Sequence, residues 1–261
     1  MDARMSRLSI VVLTLNEAHN IEACLRSAQG VADQILVVDS GSQDATVSLA
    51  QGLGAEVVAY PDWQGFGEQR SRALQHVRAD WVFFLDADER LTPALADEIR
   101  QVVAGNAEAV WEVEWEQMAY GQSLGRMRGT GGVARLFPMR VLEGFSGAVH
   151  EGAVLRTAVP TRHLRQRLPH FSRETIYGSL VKLAQYVQLG ALKRHQAGKR
   201  GGVLRGLGSG IANFTRLYVF QRGFLCGRAG FLYSFFVGLE CFFRYVALEV
   251  DRDQLKKPVR R

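Results

Sequence analysis

The N-terminal part of the chain alternates short apolar, β-branched runs with amphipathic segments. Runs that are apolar on both faces predict strands of a parallel sheet covered on both sides. Such strands are predicted at 8–13, 34–39, 55–59 and 80–85. Helical spacing of apolar residues predicts helices at 21–28, 45–53, within 64–77 and at 93–103. This alternation is typical of a doubly wound sheet with right-handed crossovers.

Beyond Gly105 the pattern changes. Apolar and polar residues alternate at 109–118, and further short strands are predicted at 133–137 and before Phe171. From Glu174 onward the apolar spacing is helical. We therefore predict an α/β domain over 1–171, with a mostly parallel sheet and a small antiparallel extension. A helical region is predicted over 172–261.

Charge divides the chain in the same way. Residues 1–155 carry 12 Lys/Arg and 21 Asp/Glu, whereas residues 156–261 carry 20 and 5. The basic second half suits an anionic partner. The three cysteines are far apart and odd in number, which favours a reducing compartment without disulfides. The opening residues are polar and followed only by a strand-length apolar run, so no signal peptide is expected.

The C-terminal region mixes aromatic residues with Arg and Lys. The run 231–250 is almost continuously apolar but is interrupted by Glu240 and Arg244, which disfavours a membrane span. This composition is typical of helices that lie in a membrane interface with a basic face toward anionic lipid. A helical lid that packs on the sheet domain is the alternative. No RNP, KH or helix-turn-helix pattern supports nucleic-acid binding.

Polar residues follow three of the predicted strands, at 14–17, 39–44 and 86–89. The carboxyl ends of parallel strands meet at one edge of a sheet, where such folds bind ligands. Neither a Gly-x-Gly-x-x-Gly motif nor a Walker lysine accompanies the first strand, which disfavours dehydrogenases and P-loop NTPases. The three clusters together predict a nucleotide-diphosphate site.

Asp86 and Asp88 are the strongest metal candidates in that site. Their carboxylates supply the oxygen ligands that Mg²⁺ or Mn²⁺ prefers, with room for substrate phosphates. An acidic turn with a helix cap at Asp88 or Thr92 is the structural alternative. Asp39 as a turn former and Asn16 as a helix cap also remain open.

Several motifs together resemble family 2 glycosyltransferases of the GT-A fold. These motifs are Thr14-Leu15-Asn16-Glu17, Val38-Asp39-Ser40-Gly41-Ser42, Gly65-Phe66-Gly67, Gln69-Arg70 and Leu85-Asp86-Ala87-Asp88-Glu89. Arg135-Leu136-Phe137, Val149-His150-Glu151 and Arg222-Gly223-Phe224 are similar to the lipopolysaccharide core β-glucosyltransferase-like group. Ser71 departs from the asparagine usual in that group, and a mild change at the sugar-proximal loop is expected.

The resemblance implies inverting transfer of a hexose, glucose in our prediction, from a nucleotide donor such as UDP-glucose. The donor-binding residues would be Thr14, Asn16, Glu17, Asp39, Gly41, Gln69, Arg70, Asp86 and Ala87. Asp88 and Asp86 would hold Mg²⁺ or Mn²⁺, with His170 as a further ligand or a purely structural histidine.

An inverting displacement needs a general base for the acceptor hydroxyl. Glu151, in a glycine-rich loop, is the predicted base, with His150 orienting it or contacting the diphosphate; a surface dipeptide is the alternative.

The predicted acceptor is a lipid-linked glycan such as the lipopolysaccharide inner core, at the cytoplasmic face of the inner membrane, with peripheral attachment to its anionic surface. A polyprenyl-phosphate or protein glycosyltransferase, or a nucleotide-sugar-binding protein without turnover, are the alternatives. No nucleic-acid partner is expected.

Overall fold

The computed structural model of the protein describes residues 6–128, 132–146 and 152–256. The chain divides into two compact units. The first holds the described residues of 1–115 and 131–170, and the second holds those of 116–130 and 171–261.

The strands are β1 (Leu8–Thr14), β2 (Gln34–Asp39), β3 (Glu56–Ala59), β4 (Trp81–Asp86), β5 (Val110–Ala119), β6 (Gln122–Ser123), β7 (Gly132–Pro138), β8 (Leu142–Ser146), β9 (Gly152–Leu155), β10 (Thr161–His163) and β11 (Leu168–Arg173). The α-helices are α1 (Ile21–Ala28), α2 (Thr46–Gly52), α3 (Phe66–Leu74), α4 (Pro93–Gly105), α5 (Ile176–Gln196), α6 (Val203–Thr215) and α7 (Gly227–Val250).

Among the described residues, nine strands form one sheet in the order β10-β5-β7-β4-β1-β2-β3, with β6 and β11 paired to β5. Strands β1 to β4 are parallel, and β7 runs antiparallel to both β4 and β5. Strands β8 and β9 form a separate antiparallel pair. The predicted doubly wound, mostly parallel sheet with an antiparallel extension is therefore confirmed.

Strand β4 is buried on both faces because successive side chains enter different layers of the core. Trp81, Phe83 and Leu85 belong to one apolar cluster, and Val82 and Phe84 belong to the other. Each such side chain contributes about 1.5–3 kcal/mol on burial, which holds the strand at the centre of the sheet. Its position therefore fixes where Asp86 and the residues after it emerge.

The register of the central strands aligns their carboxyl ends. Thr14 pairs with Asp39 across β1 and β2, and Leu13 pairs with Asp86 across β1 and β4. Strand order reverses direction at β1, which is the switch point where ligands bind in open α/β sheets. The three predicted polar clusters thus meet at one edge.

One of the proposed caps differs from the structure. Asn16 caps no helix, because α1 begins after Asn20. Ala45 precedes α2 and has no side-chain cap, while Asp44 accepts a hydrogen bond from the Thr46 backbone N–H at 3.0 Å. Thr92 caps α4, as proposed. The three cysteines are free and buried.

The second unit is mainly helical, with a π-helical turn (Arg216–Phe220) and a 3₁₀ turn (Gly223–Cys226) between α6 and α7. Thr175 caps α5 by accepting the Gly178 backbone N–H at 2.9 Å. In the described part of the chain, one helical segment (Gly223–Val250) is long and apolar enough to cross a membrane, by length and composition alone. The sequence pattern disfavours a span because Glu240 and Arg244 interrupt the run 231–250. In the structure, this run belongs to one continuous helical segment of 28 residues.

Candidate functional site

The carboxylate of Asp39 closes the loop that follows β2. One oxygen, Oδ2, accepts the backbone N–H groups of Gly41 and Ser42, each at 2.9 Å. The other accepts the hydroxyls of Ser42 at 2.5 Å and Thr14 at 3.2 Å. Gly41 has φ +98°, which favours glycine, and a Cβ there would lie 3.3 Å from the Cβ of Pro61. Asp39 therefore has the turn-forming role left open by the sequence, and donor binding by Thr14, Asp39 and Gly41 stays a prediction.

The loop after β1 is bonded to the loop after β2. Asn16 has φ +56° and accepts the Gln43 backbone N–H at 2.8 Å, while its own N–H donates to the Ser42 hydroxyl at 2.9 Å. The Glu17 backbone N–H donates to the Thr46 hydroxyl at 2.8 Å. The two loops therefore form one continuous wall at the sheet edge.

Helix α3 contributes the predicted pair Gln69 and Arg70. Gln69 is fully buried, and its amide donates to the Ser40 hydroxyl at 3.1 Å and the Tyr60 carbonyl at 2.8 Å. Through these two hydrogen bonds, Gln69 stabilises the loop after β2. Arg70 extends toward Asp86, with 3.4 Å between its Nη2 and Oδ1.

A buried arginine, Arg135 on β7, joins two carboxylates that follow β4. Its Nη2 lies 2.5 Å from Asp86 Oδ2 and 2.6 Å from Glu89 Oε1. Glu89 also accepts the Trp115 indole N–H at 2.6 Å and the Asp86 backbone N–H at 2.8 Å. Arg135 and Glu89 are buried and Asp86 is half-buried, so this network fixes the turn that presents Asp88. The buried Ala87, with its small side chain, packs beneath that turn.

Charge and burial in this network shift the pKa values of the two carboxylates in opposite directions. Burial disfavours ionised Asp86, but the charges of Arg135 and Arg70 outweigh burial and hold the pKa of Asp86 below its usual range. Burial raises the pKa of Glu89 to about 7, since the attraction of Arg135 is partly offset by the negative Asp86. Burial opposes the charge on Arg135, yet the two carboxylates raise the pKa of its guanidinium above its ordinary value.

Glu89 gives a pH dependence that can be measured in the metal-free protein. A carboxyl whose pKa is raised from 4.5 to about 7 on folding stabilises the fold fully below pH 4.5, and that contribution is lost as the pH rises through about 7. We expect the unfolding temperature of the wild type to fall relative to that of Glu89→Gln across this window, in EDTA. The exposed Glu22→Gln is the control, and a constant wild-type-to-Glu89→Gln difference would contradict the titration.

Asp88 lies beside His170 on β11. Asp88 Oδ2 and His170 Nε2 are 3.3 Å apart, and the imidazole packs on the Trp115 ring with centroids 5.3 Å apart. Burial lowers the pKa of His170, but the hydrogen bond to Asp88 and the nearby carboxylates outweigh it, so the pKa is raised. Among the described residues, His170 Nδ1 is buried without a hydrogen-bond partner.

The donors at Asp88 and His170 fit a divalent cation. No group of three or more His, Cys, Asp or Glu side chains that could hold a metal occurs within 6–128, 132–146 and 152–256. Mg²⁺, however, is usually bound by one or two carboxylates together with substrate phosphates. Asp86 faces two guanidinium groups, which compete with a cation for its oxygens. Of the three predicted ligands, Asp88 and His170 are therefore the better-suited donors.

The predicted base Glu151 and its neighbour His150 lie outside the described residues. The strands that lead into and out of their segment are described: Ser146 of β8 pairs with Gly152 of β9. The β8 end of this pair is bonded to α3, since the Phe145 backbone N–H donates to the Ser71 hydroxyl at 2.9 Å. Ser71, the departure noted in the sequence, therefore holds α3 to β8.

Arg135, Trp115 and Glu89 had no site role in the sequence prediction. Arg135 is buried at the third residue after Gly132, on a strand otherwise flanked by apolar side chains. A charged residue inside such a strand needs a buried partner of opposite sign. The sequence therefore indicates that Arg135 is paired, but it does not identify the partner.

Comparison with known proteins finds chains that are similar in sequence and in fold. Residues 9–111 match the family model described as glycosyl transferase family 2. An uncharacterized glycosyltransferase of Rickettsia bellii is 43% identical over 98 residues, which is 38% of this chain and 33% of that protein. The lipopolysaccharide core biosynthesis glycosyltransferase LpsC of Rhizobium meliloti is 29% identical over 232 residues, which is 86% of this chain and 85% of LpsC.

Among solved structures, glucosyl-3-phosphoglycerate synthase from Mycobacterium tuberculosis, in complex with Mn²⁺, UDP and glucosyl-3-phosphoglycerate, is 27% identical, with a TM-score of 0.36 over 43% of this chain and 44% of that chain. The matched segment spans about a third of the length of the Rickettsia relative. Residues 9–111 thus match the family 2 glycosyltransferase model, and the predicted resemblance to this family is confirmed.

Proposed function

We propose that the protein is a metal-dependent inverting glycosyltransferase. It would move a hexose, glucose in our prediction, from a nucleotide sugar such as UDP-glucose to a lipid-linked glycan such as the lipopolysaccharide inner core. The observation that carries this proposal is the pairing of Asp88 with His170 beside the Arg70–Asp86–Arg135 cluster, at the switch point of a family 2 domain.

The donor side of this reaction is assigned to the bonded loops after β1 and β2. The peptide groups and side chains of Asn16, Glu17 and Asp39 line the wall where the nucleoside would lie. The guanidinium of Arg70 packs over the Phe84 ring, 5.5 Å from its centroid, and would contact the diphosphate or the sugar. Its interaction with Asp86 keeps the guanidinium directed at the sheet edge.

Asp88 and His170 would hold Mg²⁺ or Mn²⁺ together with the diphosphate. When bound, the cation would offset the negative charge that develops on the leaving diphosphate. Arg135 would hold Asp86 and Glu89 in place, so that the turn between them keeps Asp88 in position for its ligand. Glu151 would accept the proton of the acceptor hydroxyl.

The acceptor assignment and the peripheral position at the cytoplasmic face of the inner membrane rest on the second half of the chain. The relative LpsC is named for lipopolysaccharide core biosynthesis. Of the large apolar side chains exposed in the described residues, all but Val154 lie between Ile176 and Val250. A lipid-linked acceptor accounts for that surface, whereas a soluble protein acceptor leaves it without a function.

Thermal unfolding with a panel of nucleotide sugars tests the donor and the metal together. UDP-glucose with Mn²⁺ should raise the unfolding temperature more than either alone, because a ligand at a hundred times its Kd stabilises by about 2.7 kcal/mol. Asp88→Asn should remove the metal-dependent part of the shift, and His170→Gln should reduce it. The exposed Asp97→Asn on α4 is the matched control.

An unchanged metal-dependent shift in Asp88→Asn would refute the metal assignment. Assays of sugar transfer to lipopolysaccharide-core, polyprenyl-phosphate and protein acceptors then separate the proposed reaction from its alternatives on the same fold. Donor binding without donor hydrolysis or transfer would indicate a binding protein.

A further inference from the structure

Helix α6 packs with its smallest residues inward. Gly206 and Gly210 are buried against α7, and a Cβ at these positions would lie 2.7 Å from the Phe242 carbonyl oxygen and 3.0 Å from the Gly238 carbonyl oxygen. On α7, a Cβ at Gly238 would lie 3.2 Å from the Gly210 carbonyl oxygen. The two helix backbones therefore approach closely, and glycine is required on the contact face.

The opposite face of α6 carries large apolar side chains that are exposed. Leu204 is 83% exposed, Leu207 is 45% exposed and Ile211 is 63% exposed. These residues recur at i, i+3 and i+7, so they form one stripe. A helix of a water-soluble domain has the reverse arrangement, with its large apolar residues in the core. This stripe, Leu204–Leu207–Ile211, is the apolar face of α6.

Helix α7 is held within its own unit despite its apolar composition. Glu240, in the middle of α7, is buried and hydrogen-bonded to the buried Arg173 of β11. The Arg173 guanidinium also lies over the rings of Tyr233 and Phe236, 5.7 and 5.8 Å from their centroids. Breaking such a pair would leave an uncompensated charge in an apolar environment. The structure thus gives the middle of α7 a packed position in the unit, although Phe231, Phe235 and Phe243 of α7 are 40–43% exposed. Helix α6 differs because its buried residues are glycines and its apolar stripe lies outside.

Along the sequence, the charge before and after α6 has one sign over a long stretch. In space, the exposed Glu249 of α7 is an acidic residue near Gly202, at the start of α6. Residues 175–239 contain no Asp or Glu. They contain nine basic residues, Lys182, Lys193, Arg194, Lys199, Arg200, Arg205, Arg216, Arg222 and Arg228. Arg205 is exposed on α6 itself, between Leu204 and Leu207 in sequence. Basic side chains beside an exposed apolar stripe complement the acyl and phosphate layers of an anionic bilayer.

We propose that α6 inserts into the membrane interface, lying parallel to the surface of an anionic bilayer. The apolar face of α6 sits among the acyl chains, and Arg205 and its basic neighbours contact lipid phosphates. The segment Gly223–Val250 does not cross the bilayer. This inference deepens the membrane contact of the proposed function by naming the inserting helix and its lipid partner.

Partitioning of the whole chain into vesicles tests this inference. The vesicles contain phosphatidylcholine, with or without phosphatidylglycerol. Leu204→Gln and Ile211→Gln keep the net charge and remove apolar contact. Each should weaken partitioning into phosphatidylglycerol vesicles about tenfold to a hundredfold, the loss expected when one Leu or Ile side chain is no longer buried. Val154→Gln, exposed in the first unit, is the matched control and should bind like wild type.

Two further variants separate apolar from ionic contributions. Gly208→Leu adds an apolar side chain where a Cβ meets no atom within 4 Å, and it should strengthen partitioning. Arg205→Gln should weaken binding only to the anionic vesicles, and more so at low salt. The stabilisation of each variant by UDP-glucose and Mn²⁺, measured in parallel, confirms folding. It also separates failure of this inference from failure of the donor assignment.

Wild-type partitioning by the Leu204→Gln, Ile211→Gln double variant would overturn the inference. So would lipid-free self-association that the double variant abolishes, because a second copy of the chain would then be the occupant of the apolar face. Accessibility of the residues before Gly223 and of those after Val250 from opposite faces of sealed vesicles would show that this segment crosses, and would equally overturn the inference.

Discussion

Glu151→Gln should reduce the rate of sugar transfer by about two to four powers of ten, the usual contribution of a general base. Glutamine has nearly the same shape as glutamate but cannot accept the proton of the acceptor hydroxyl. Donor affinity should be unchanged, because the nucleotide is assigned to the edge formed by β1, β2 and β4. Initial rates of transfer and the donor Kd, measured on the same preparation, check both parts.

Glu143→Gln is the matched control, since Glu143 is an exposed carboxylate on β8, a few residues before Glu151 in the chain. It should transfer like wild type. Equal losses in Glu143→Gln and Glu151→Gln would indicate a structural effect of altering this segment. Wild-type transfer by Glu151→Gln would contradict the assignment of the base, and a tenfold loss of donor affinity would contradict its separation from the donor site.

Arg135→Met should lower the free energy of unfolding by about 3–5 kcal/mol, which is typical when one partner of a buried ion pair is removed. Methionine fills much of the same space, so the loss comes chiefly from charge. Asp86 and Glu89 would then face each other without the guanidinium that bonds both, at 2.5 and 2.6 Å. Urea titration at neutral pH measures the change.

Arg140→Met, in the turn after β7, makes the same chemical change at a surface pair. Arg140 lies 2.6 Å from Glu108, with 42% and 57% of their side chains exposed, and an exposed pair contributes about 0–1 kcal/mol. Adding Glu89→Gln to Arg135→Met should recover part of the lost stability, because it removes the fully buried carboxylate charge. A loss in Arg135→Met no larger than in Arg140→Met would refute the buried network.

The parallel part of the fold could be predicted because its strands are apolar on both faces and its turns are polar. Strand β2 begins and ends as predicted at 34–39, and β4 is displaced by only one residue, to Trp81–Asp86. Burial on both faces produces a continuous apolar run, so the bounds of these strands can be predicted from the local sequence. The meeting of Thr14, Asp39 and Asp86 followed from strand direction alone.

The partners of individual side chains could not be predicted in the same way. The insertion of antiparallel β7 between β4 and β5 brings Arg135 beside Asp86, which is 49 residues away in the chain. The periodicity of a sequence indicates which face of a strand is buried, but it does not indicate which strand lies beside it. For the same reason, the internal hydrogen bonds of Gln69 could not be predicted, and for Asp39 the sequence left a turn-forming role and a ligand-binding role open.

In the second half, composition predicts apolar helices beside basic residues, but it does not predict which faces of those helices are exposed. The aromatic segment 231–250 is more apolar in sequence than α6, which is rich in glycine. Composition therefore favours the aromatic segment as the one that contacts a membrane. Only packing shows that α7 is bonded to Arg173 and that α6 has its large side chains outside.

The indole of Trp115 has an optical consequence. It donates to Glu89 at 2.6 Å and lies against the His170 ring, so its environment changes whenever the imidazole changes charge or ligand. A paramagnetic ion such as Mn²⁺ beside His170 would quench its emission, whereas diamagnetic Mg²⁺ would not. The protein thus has a built-in fluorophore at its candidate metal position, through which occupancy is readable in unlabelled protein as substrates are added.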